Sequence, residues 1–328
     1  MFEDIRSNPA AKRSPLKVTL QAITIALFIL AIVYFLRKYS ADISNLKMLS
    51  LLDIVVIGAW SFVSYTAYAY AVYIVFLDLG LKNLGPIAWL RIYFVSRLVN
   101  FFITQGGNLY RLLVLKKNYN FSYTNTVGVT GFLIWINAAI ALLASAYALD
   151  SLQLDSRIAG LSLLGWCGFL LAGLMIVPLT AILLAGWSRT ASIARHKLAA
   201  PFVQVADFFT STIKNTGLFA IVTILSIIHF CFFLGVNYFA FRAIGQQIDL
   251  GVVCVFTTAF VFTRYINVVP GNIGVSELVG GLMSEQMGVG FSNGLIVSGI
   301  VRMVEVLVIL LTGLIYGKIL AVSFFRRD

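Results

Sequence analysis

The sequence predicts an all-α integral membrane protein with about six spanning helices and two re-entrant helical hairpins, arranged as inverted repeats. Three observations predict this fold class. The 328 residues are 60% hydrophobic and only 11% charged, whereas a typical soluble domain is about 25% charged. Six apolar runs are long enough to cross a bilayer, which takes about 20 residues. Two further apolar runs contain polar residues and glycine breaks, and they resemble each other.

The composition excludes several classes of protein. So few charged residues cannot cover the surface of a soluble chain of this size, which excludes a soluble enzyme, a nucleic-acid-binding protein and a secreted disulfide scaffold. The net charge of +11 lies in short blocks between apolar runs, as in polytopic membrane proteins. The three cysteines lie inside apolar runs without a CxxC pair, so we interpret them as packing residues. The predicted spans are 18–36, 51–77, 125–149, 159–186, 217–241 and 292–317.

The two remaining apolar runs, 86–104 and 250–268, decide the topology. Of the 24 lysines and arginines, the count sets aside Arg97, Arg111, Arg264 and Arg302, which leaves 20. If both runs span the membrane, 11 of these 20 fall inside and 9 outside, which is no bias. If both runs enter and return, 15 fall inside and 5 outside, as the positive-inside rule requires. The charge distribution therefore favours six spans and two re-entrant hairpins, with both termini cytoplasmic and the chain in the cytoplasmic membrane.

The longest connection, 187–216, begins with basic residues and continues with apolar residues at helical spacing. This pattern predicts a basic amphipathic helix on the cytoplasmic side, lying at the membrane interface or serving as an ordinary connector. The whole chain, 1–328, is predicted to be a single transmembrane domain.

The two odd runs form the centre of an internal repeat. The first reads RLVNFFITQGG over 97–107 and the second reads RYINVVPGNIG over 264–274. Both contain RxxN, with a glycine seven residues after the asparagine, and a spanning run precedes each. We predict repeat 1 at about 18–149 and repeat 2 at about 159–317, with the first hairpin opening from the cytoplasm and the second from outside. Inverted repeats with broken helices are a common transporter design.

The embedded arginines are the main chemical signal. A mid-bilayer arginine costs about 2.5–3.5 kcal/mol on insertion scales, so four unpaired arginines would cost on the order of 10 kcal/mol. Three glutamates are available as partners. Arg302 and Glu305 lie three residues apart on one predicted helix, so they can pair. The other arginines have fewer obvious partners, which indicates an anionic ligand. The arginines and candidate acidic partners are Arg97, Arg111, Arg264, Arg302, Glu277, Glu285 and Glu305.

The glycine breaks predict an anion site. Arg97 and Asn100 share one helical face, as Arg264 and Asn267 do, and each face leads into a glycine turn. The returning helices are expected to start near Asn108 and near Ser276, which are residue types suited to N-caps. A helix N-terminus inside the membrane would present unpaired N–H groups to a phosphate.

Catalytic and metal-binding patterns are missing from the sequence. The only histidines are His196, in a basic loop, and His229, in a span, where a packed, hydrogen-bonded role is expected. No metalloprotease, nucleophile-elbow or phosphate-loop motif occurs, and no cysteine–histidine cluster. We predict no catalytic residues, no metal and no cofactor.

Two segments resemble the motifs of one family. Gly107-Asn108-Leu-Tyr-Arg111 resembles the GE-x-x-R motif of the lysylphosphatidylglycerol synthase transmembrane family, also called the flippase-like domain, and 270–277 resembles its P-G-G-x-G-x-x-E motif. Asn108 stands where the first motif has glutamate. Arg302 matches the arginine of the family's last helix. The resemblance implies movement of lipids across the cytoplasmic membrane by a stand-alone member that lacks the soluble synthase domain.

The sequence therefore predicts a non-enzymatic flippase for an anionic lipid, or for a polyprenyl-linked glycolipid. Glu277, Arg302 and Glu305 are predicted to balance charge or to couple transport to protons. The alternatives are an accessory or scaffold protein for a glycosyltransferase or other lipid-modifying enzyme, a lipid-modifying enzyme itself, and a small-anion channel; a nucleic-acid partner is not expected. The predicted head-group residues are Arg97, Asn100, Gly107, Asn108, Arg111, Arg264, Asn267, Pro270, Gly271 and Gly274.

Overall fold

A computed structural model describes most of the chain from residue 49 onward. The predicted first span, 18–36, and the start of repeat 1 lie outside the described residues. The described residues are 49–81, 83–103, 105–153, 157–158, 160–190, 200–265, the single residue 272, and 274–325.

The described residues are almost entirely helical, as the composition predicts. A two-residue antiparallel pair, β1 (Arg157–Ile158) and β2 (Leu161–Ser162), precedes the fifth helix. The helices are α1 (Leu51–Asp78), α2 (Pro86–Phe102), α3 (Gly106–Tyr119), α4 (Tyr123–Leu152), α5 (Leu163–Thr190), α6 (Ala200–Lys214), α7 (Thr216–Ala243), α8 (Leu250–Tyr265), α9 (Val275–Gln286) and α10 (Phe291–Phe325).

Five helices within the described residues are long and apolar enough to cross a membrane. They are α1, α4, the Leu163–Leu183 part of α5, α7, and the Phe291–Tyr316 part of α10. Each coincides with one of the predicted spans, because a continuous apolar run can satisfy its backbone in lipid only as a helix. The prediction of a multi-pass helical membrane protein is confirmed.

The two odd runs form short helices followed by breaks. α2 has 17 residues and α3 has 14, while α8 has 16 and α9 has 12. At 1.5 Å per residue a 16-residue helix is about 24 Å long, which is shorter than the hydrocarbon core of about 30 Å. We call α2 and α3 hairpin 1, and α8 and α9 hairpin 2. Each hairpin has two short helices in sequence, as the glycine-rich break after each run predicts.

The elements on either side of the connector correspond in order and in contacts. α1–α4 and α7–α10 both run as a long helix, two short helices and a long helix. α1 packs along α7, α4 packs on α8, and α10 packs on α2. Each half thus places its last helix against the hairpin of the other half, which is the pattern a two-fold relation between the halves produces. The sidedness of each half in the membrane stays a prediction.

The predicted amphipathic connector contains a helix, α6. Its Phe208 and Phe209 are buried, and the Phe209 ring centre lies 5.3 Å from that of Phe132 and 5.9 Å from that of Trp135, both on α4. The apolar face of α6 is therefore covered by a spanning helix of the protein. The basic residues 191–199 lie outside the described part of the chain. The interfacial position of α6 stays a prediction.

Candidate functional site

Two adjoining cavities lie where the hairpins meet, and Arg97, Asn100 and Arg264 line both. The hairpin-1 cavity has a volume of about 230 Å³ and the hairpin-2 cavity about 120 Å³. The hairpin-1 cavity is lined by Tyr68, Tyr93, Ser96, Arg97, Asn100, Gln105, Asn108, Arg111, Thr130, Ile134, His229, Val261, Arg264 and Tyr265. The hairpin-2 cavity is lined by Tyr65, Arg97, Asn100, Phe101, Phe260, Arg264, Asn272, Ser276, Val301, Arg302, Glu305, Val306 and Ile309.

The seven-residue spacing between asparagine and glycine has a structural cause in hairpin 1. The Asn100 Oδ1 atom accepts a hydrogen bond of 2.9 Å from the backbone N–H of Gly107, which ties the end of α2 to the start of α3. A Cβ atom on Gly107 would lie 1.8 Å from the carbonyl oxygen of Ser96. The two helices therefore meet backbone against backbone, and no larger residue fits at position 107.

The expected N-caps are wrong by three positions in hairpin 1, where the cap is Gln105, and by two in hairpin 2, where it is Gly274. α3 begins at Gly106, after Gln105 in the left-handed conformation, so Asn108 is already the third residue of the helix. α9 begins at Val275 after Gly274, whose φ of +83° suits glycine, so Ser276 is the second residue of the helix. In both hairpins the sharp turn takes the capping position, and this frees the Asn108 and Ser276 side chains to face other groups.

In hairpin 1, Asn108 orients Arg111. The Asn108 Nδ2 atom donates to Gln105 Oε1 at 2.5 Å, and the Asn108 Oδ1 atom accepts from Arg111 Nη2 at 2.5 Å. Arg111 is buried, with 8% of its surface exposed. Because Asn108 is neutral, this contact holds the guanidinium in place without compensating its charge.

Arg97 lies against aromatic rings. Its guanidinium carbon is 4.5 Å from the ring centre of Tyr65 and 5.9 Å from that of Tyr93, both within the range of a cation–π interaction. Within the described residues, no carboxylate forms an ion pair with Arg97 or Arg111. The Nε atoms of both arginines are buried and have no hydrogen-bond partner there.

Arg264 of hairpin 2 has an acidic partner, contrary to the expectation that it shares the unpaired state of Arg97. Its guanidinium forms a salt bridge and a hydrogen bond with Glu305 of α10 and stacks 3.8 Å above the centre of the Phe233 ring. The expected pairing of Glu305 with Arg302 is therefore wrong. Glu305 pairs with the neighbouring helix α8 because α10 packs beside hairpin 2.

Arg302 pairs with hairpin 2 at a different point. Its guanidinium forms a salt bridge with Glu277 of α9 and donates to the Asn272 carbonyl oxygen at 2.8 Å and to the Ser276 Oγ atom at 2.9 Å. Glu277 also accepts a hydrogen bond from the Gly274 backbone N–H. This network joins the break of hairpin 2 to the spanning helix α10.

The described charges around the two cavities do not balance. Arg264 and Arg302 each have a glutamate, whereas Arg97 and Arg111 have none. Glu285, the third candidate partner, instead accepts a hydrogen bond of 2.7 Å from the Phe291 backbone N–H at the start of α10. The excess positive charge therefore lies on hairpin 1, in the wall of the larger cavity.

Several residues of the site were not predicted from the sequence. Tyr65, Tyr68 and Tyr93 form the aromatic wall beside Arg97, and Asn272 links hairpin 2 to Arg302. The tyrosines that recur at short intervals along the first described span were the available signal, because polar aromatic rings are unusual in the middle of an apolar run.

His229 is packed and hydrogen-bonded, as expected. Its Nδ1 atom lies 2.8 Å from Ser64 Oγ, and its ring lies 5.2 Å from that of Tyr68, centre to centre.

The structure brings most of the predicted head-group residues together. Arg97, Asn100, Asn108, Arg111 and Arg264 line the hairpin-1 cavity. Gly107 and Gly274 lie at the breaks of the two hairpins. The remaining three predicted residues, Asn267, Pro270 and Gly271, lie outside the described residues.

Comparison with known proteins identifies one family that the chain matches. The sequence pattern described as "Lysylphosphatidylglycerol synthase TM region" matches residues 21–313, which is most of the chain. No curated protein and no solved structure matches the chain. The matched region is the membrane region of the synthase and not its catalytic domain, and it is associated with a lipid-related role in the membrane. The chain therefore belongs to the lysylphosphatidylglycerol synthase transmembrane family.

Proposed function

We propose that the protein is a flippase that moves an anionic, phosphate-bearing lipid or a polyprenyl-linked glycolipid across the cytoplasmic membrane, without acting as an enzyme. The observation that carries this proposal is the pair Arg97 and Arg111. Both line the hairpin-1 cavity, and neither has a carboxylate partner among the described residues.

An anionic head group fits these two arginines for an energetic reason. A buried guanidinium without a counter-charge is costly, and the cost is relieved when an anion accepts its hydrogen bonds. The planar fork of arginine matches the oxygens of a phosphate, often through two parallel hydrogen bonds. The Asn108 contact orients one of the two guanidiniums before any ligand arrives.

The arrangement of the cavities supports movement of a head group and not of a whole lipid. The larger cavity, of about 230 Å³, is smaller than the pockets of about 300–1,000 Å³ that enclose drug-sized ligands. The acyl or prenyl tails would stay in the surrounding bilayer while the head group passes between the hairpins. Sites at the interface of two related halves with broken helices are typical of secondary transporters, in which one half rocks against the other.

Reconstitution tests the proposal directly. The full-length protein is placed in liposomes with tail-labelled phosphatidylglycerol or, as the neutral comparison, phosphatidylcholine, and flipping is followed by quenching of the outer-leaflet label. We expect flipping of the anionic lipid only. Arg97→Gln and Arg111→Gln should each slow it by about tenfold or more, because a hydrogen bond to a charged group contributes about 1.5–3 kcal/mol.

Arg242→Gln is the matched control. Arg242 is an exposed arginine at the end of α7, outside both cavities, with its guanidinium carbon 5.8 Å from the Tyr238 ring centre. This variant should flip lipid at the rate of the unmodified protein. Equal rates for all three arginine variants would overturn the head-group site. A folded protein that binds anionic lipid and never flips it would instead support the accessory role beside a lipid-modifying enzyme.

A further inference from the structure

The number of uncompensated positive charges around the cavities indicates how many negative charges the ligand carries. Four arginines line the two cavities, and within the described residues two glutamates pair with two of them. Two positive charges remain, both on hairpin 1. We infer that the head group bound most tightly there is a dianion, a phosphomonoester or a diphosphate, in preference to the singly charged phosphodiester of common phospholipids. This inference rests on the proposed function and narrows its substrate class.

The hairpin-2 cavity does not supply the site for such a ligand, because Arg264 of α8 and Arg302 of α10, which line it, are already engaged. Arg264 pairs with Glu305, and Arg302 pairs with Glu277 while also donating to Asn272 and Ser276. An anion at these positions would have to displace a carboxylate. Repulsion from Glu305, which lines the hairpin-2 cavity, would further disfavour a ligand there.

Hairpin 1 has the opposite character. Arg97 contacts aromatic rings, which do not neutralise it, and Arg111 contacts a neutral amide. The wall of the hairpin-1 cavity contains no aspartate or glutamate among its described lining residues. Among its described residues, this wall therefore supplies no carboxylate to Arg97 or Arg111, and Glu305, whose charge reaches Arg97 from the neighbouring cavity, is already paired with Arg264.

The donors in the same wall also suit a phosphomonoester. A guanidinium has five N–H donors and no acceptor, so the guanidinium groups of Arg97 and Arg111 together need a ligand with several oxygen atoms. A phosphomonoester presents three terminal oxygens and carries a charge of about −1.5 to −2 at neutral pH, since its second pKa is about 6. A phosphodiester presents two such oxygens and one charge.

Two lipids that differ by one methyl group provide the test. Binding of dioleoyl phosphatidic acid, a monoester, and of dioleoyl phosphatidylmethanol, a diester, is measured with the full-length protein in nanodiscs of phosphatidylcholine. At pH 7.5 we expect the monoester to bind about tenfold tighter, the ratio that one additional charge-assisted contact produces. At pH 5, where the monoester carries one charge, the preference should disappear while diester binding stays unchanged.

Asn108→Asp is the decisive variant. The change is isosteric and places one negative charge beside Arg111, and an acidic residue in the first turn of a helix is tolerated by the helix dipole. We expect this variant to lose the preference for the monoester while keeping the melting temperature of the unmodified protein. Arg111→Gln should lose the preference as well, and Arg242→Gln should keep it.

The outcomes separate this inference from the proposed function. The inference of a dianionic head group is wrong if the monoester and the diester bind equally well and both bind better than phosphatidylcholine. It is also wrong if the preference for the monoester does not change with pH. In either case the proposal of a flippase for anionic lipids stands. If neither lipid binds better than phosphatidylcholine, the proposed function fails too. Inorganic phosphate is added as a competitor, and displacement of the monoester at equal concentration would assign the site to a free anion and overturn the lipid head group.

Discussion

Arg302 of α10 forms its ion pair with Glu277 of α9 and not with Glu305, which lies three residues further along its own helix. The two acidic residues are thereby divided between two arginines, and both pairs connect hairpin 2 to α10. Two ion pairs connect hairpin 2 to the spanning helix α10. In hairpin 1, Arg97 and Arg111 instead line a cavity without a carboxylate partner among the described residues. The two halves share an architecture and differ in electrostatics.

Breaking the Arg302–Glu277 pair should destabilise the fold. Glu277→Gln leaves Arg302 without its carboxylate, and the loss of one partner of a partly buried pair costs on the order of 3 kcal/mol. Thermal unfolding in detergent should show a lower midpoint for Glu277→Gln, and the double variant Glu277→Gln/Arg302→Gln should recover part of the loss. A double variant as unstable as the sum of the single changes would contradict a direct pairing.

Gly107→Ala should disrupt hairpin 1. The added Cβ atom would lie 1.8 Å from the Ser96 carbonyl oxygen, so α2 and α3 would have to separate. We expect a clear loss of folded protein, measured by size-exclusion chromatography after expression. Gly131→Ala on the exposed side of α4 is the matched control, because a Cβ atom there meets nothing within 4 Å. This control should be neutral or stabilising by up to about 1 kcal/mol, and an equal loss in both variants would rule out the steric explanation.

Asn100 should separate the roles of hydrogen bonding and charge. Asn100→Ala removes the acceptor for the Gly107 N–H and should lower stability by about 1–3 kcal/mol, the cost of an unsatisfied buried donor. Asn100→Asp keeps the acceptor and adds a negative charge to the wall of both cavities. This variant should retain the melting temperature and bind anionic lipid less tightly. Unchanged lipid affinity in Asn100→Asp would show that Asn100 does not belong to the head-group site.

Tyr65 should support anion binding through Arg97. Tyr65→Phe keeps an aromatic face under the guanidinium, whereas Tyr65→Leu removes it. A cation–π contact contributes about 0.5–2 kcal/mol, so we expect Tyr65→Leu to weaken lipid binding by about twofold to thirtyfold and Tyr65→Phe to change it little. Equilibrium titration with a tail-labelled anionic lipid measures both. Equal weakening in the two variants would assign the effect to the phenol oxygen and not to the ring face.

Local patterns in the sequence were sufficient for the overall fold and for part of the site. Apolar runs identified the five described spans, because a bilayer imposes its length and polarity on each helix separately. The RxxN pattern with its following glycine identified hairpin 1, because the Asn100–Gly107 hydrogen bond closes within a single break of the chain. The shortage of charged residues made the embedded arginines conspicuous.

The partners of those arginines depended on the tertiary structure. Arg264 and Glu305 are 41 residues apart, and they meet only because α10 packs beside hairpin 2. Tyr65 reaches Arg97 from a helix before the hairpin, a contact that helical periodicity cannot predict. The sequence by itself determined that charged groups lie in the membrane, since hydropathy and spacing are properties of neighbouring residues. The tertiary structure decided which of them are compensated and which face the cavity, since ion pairing depends on distances between helices that are far apart along the chain.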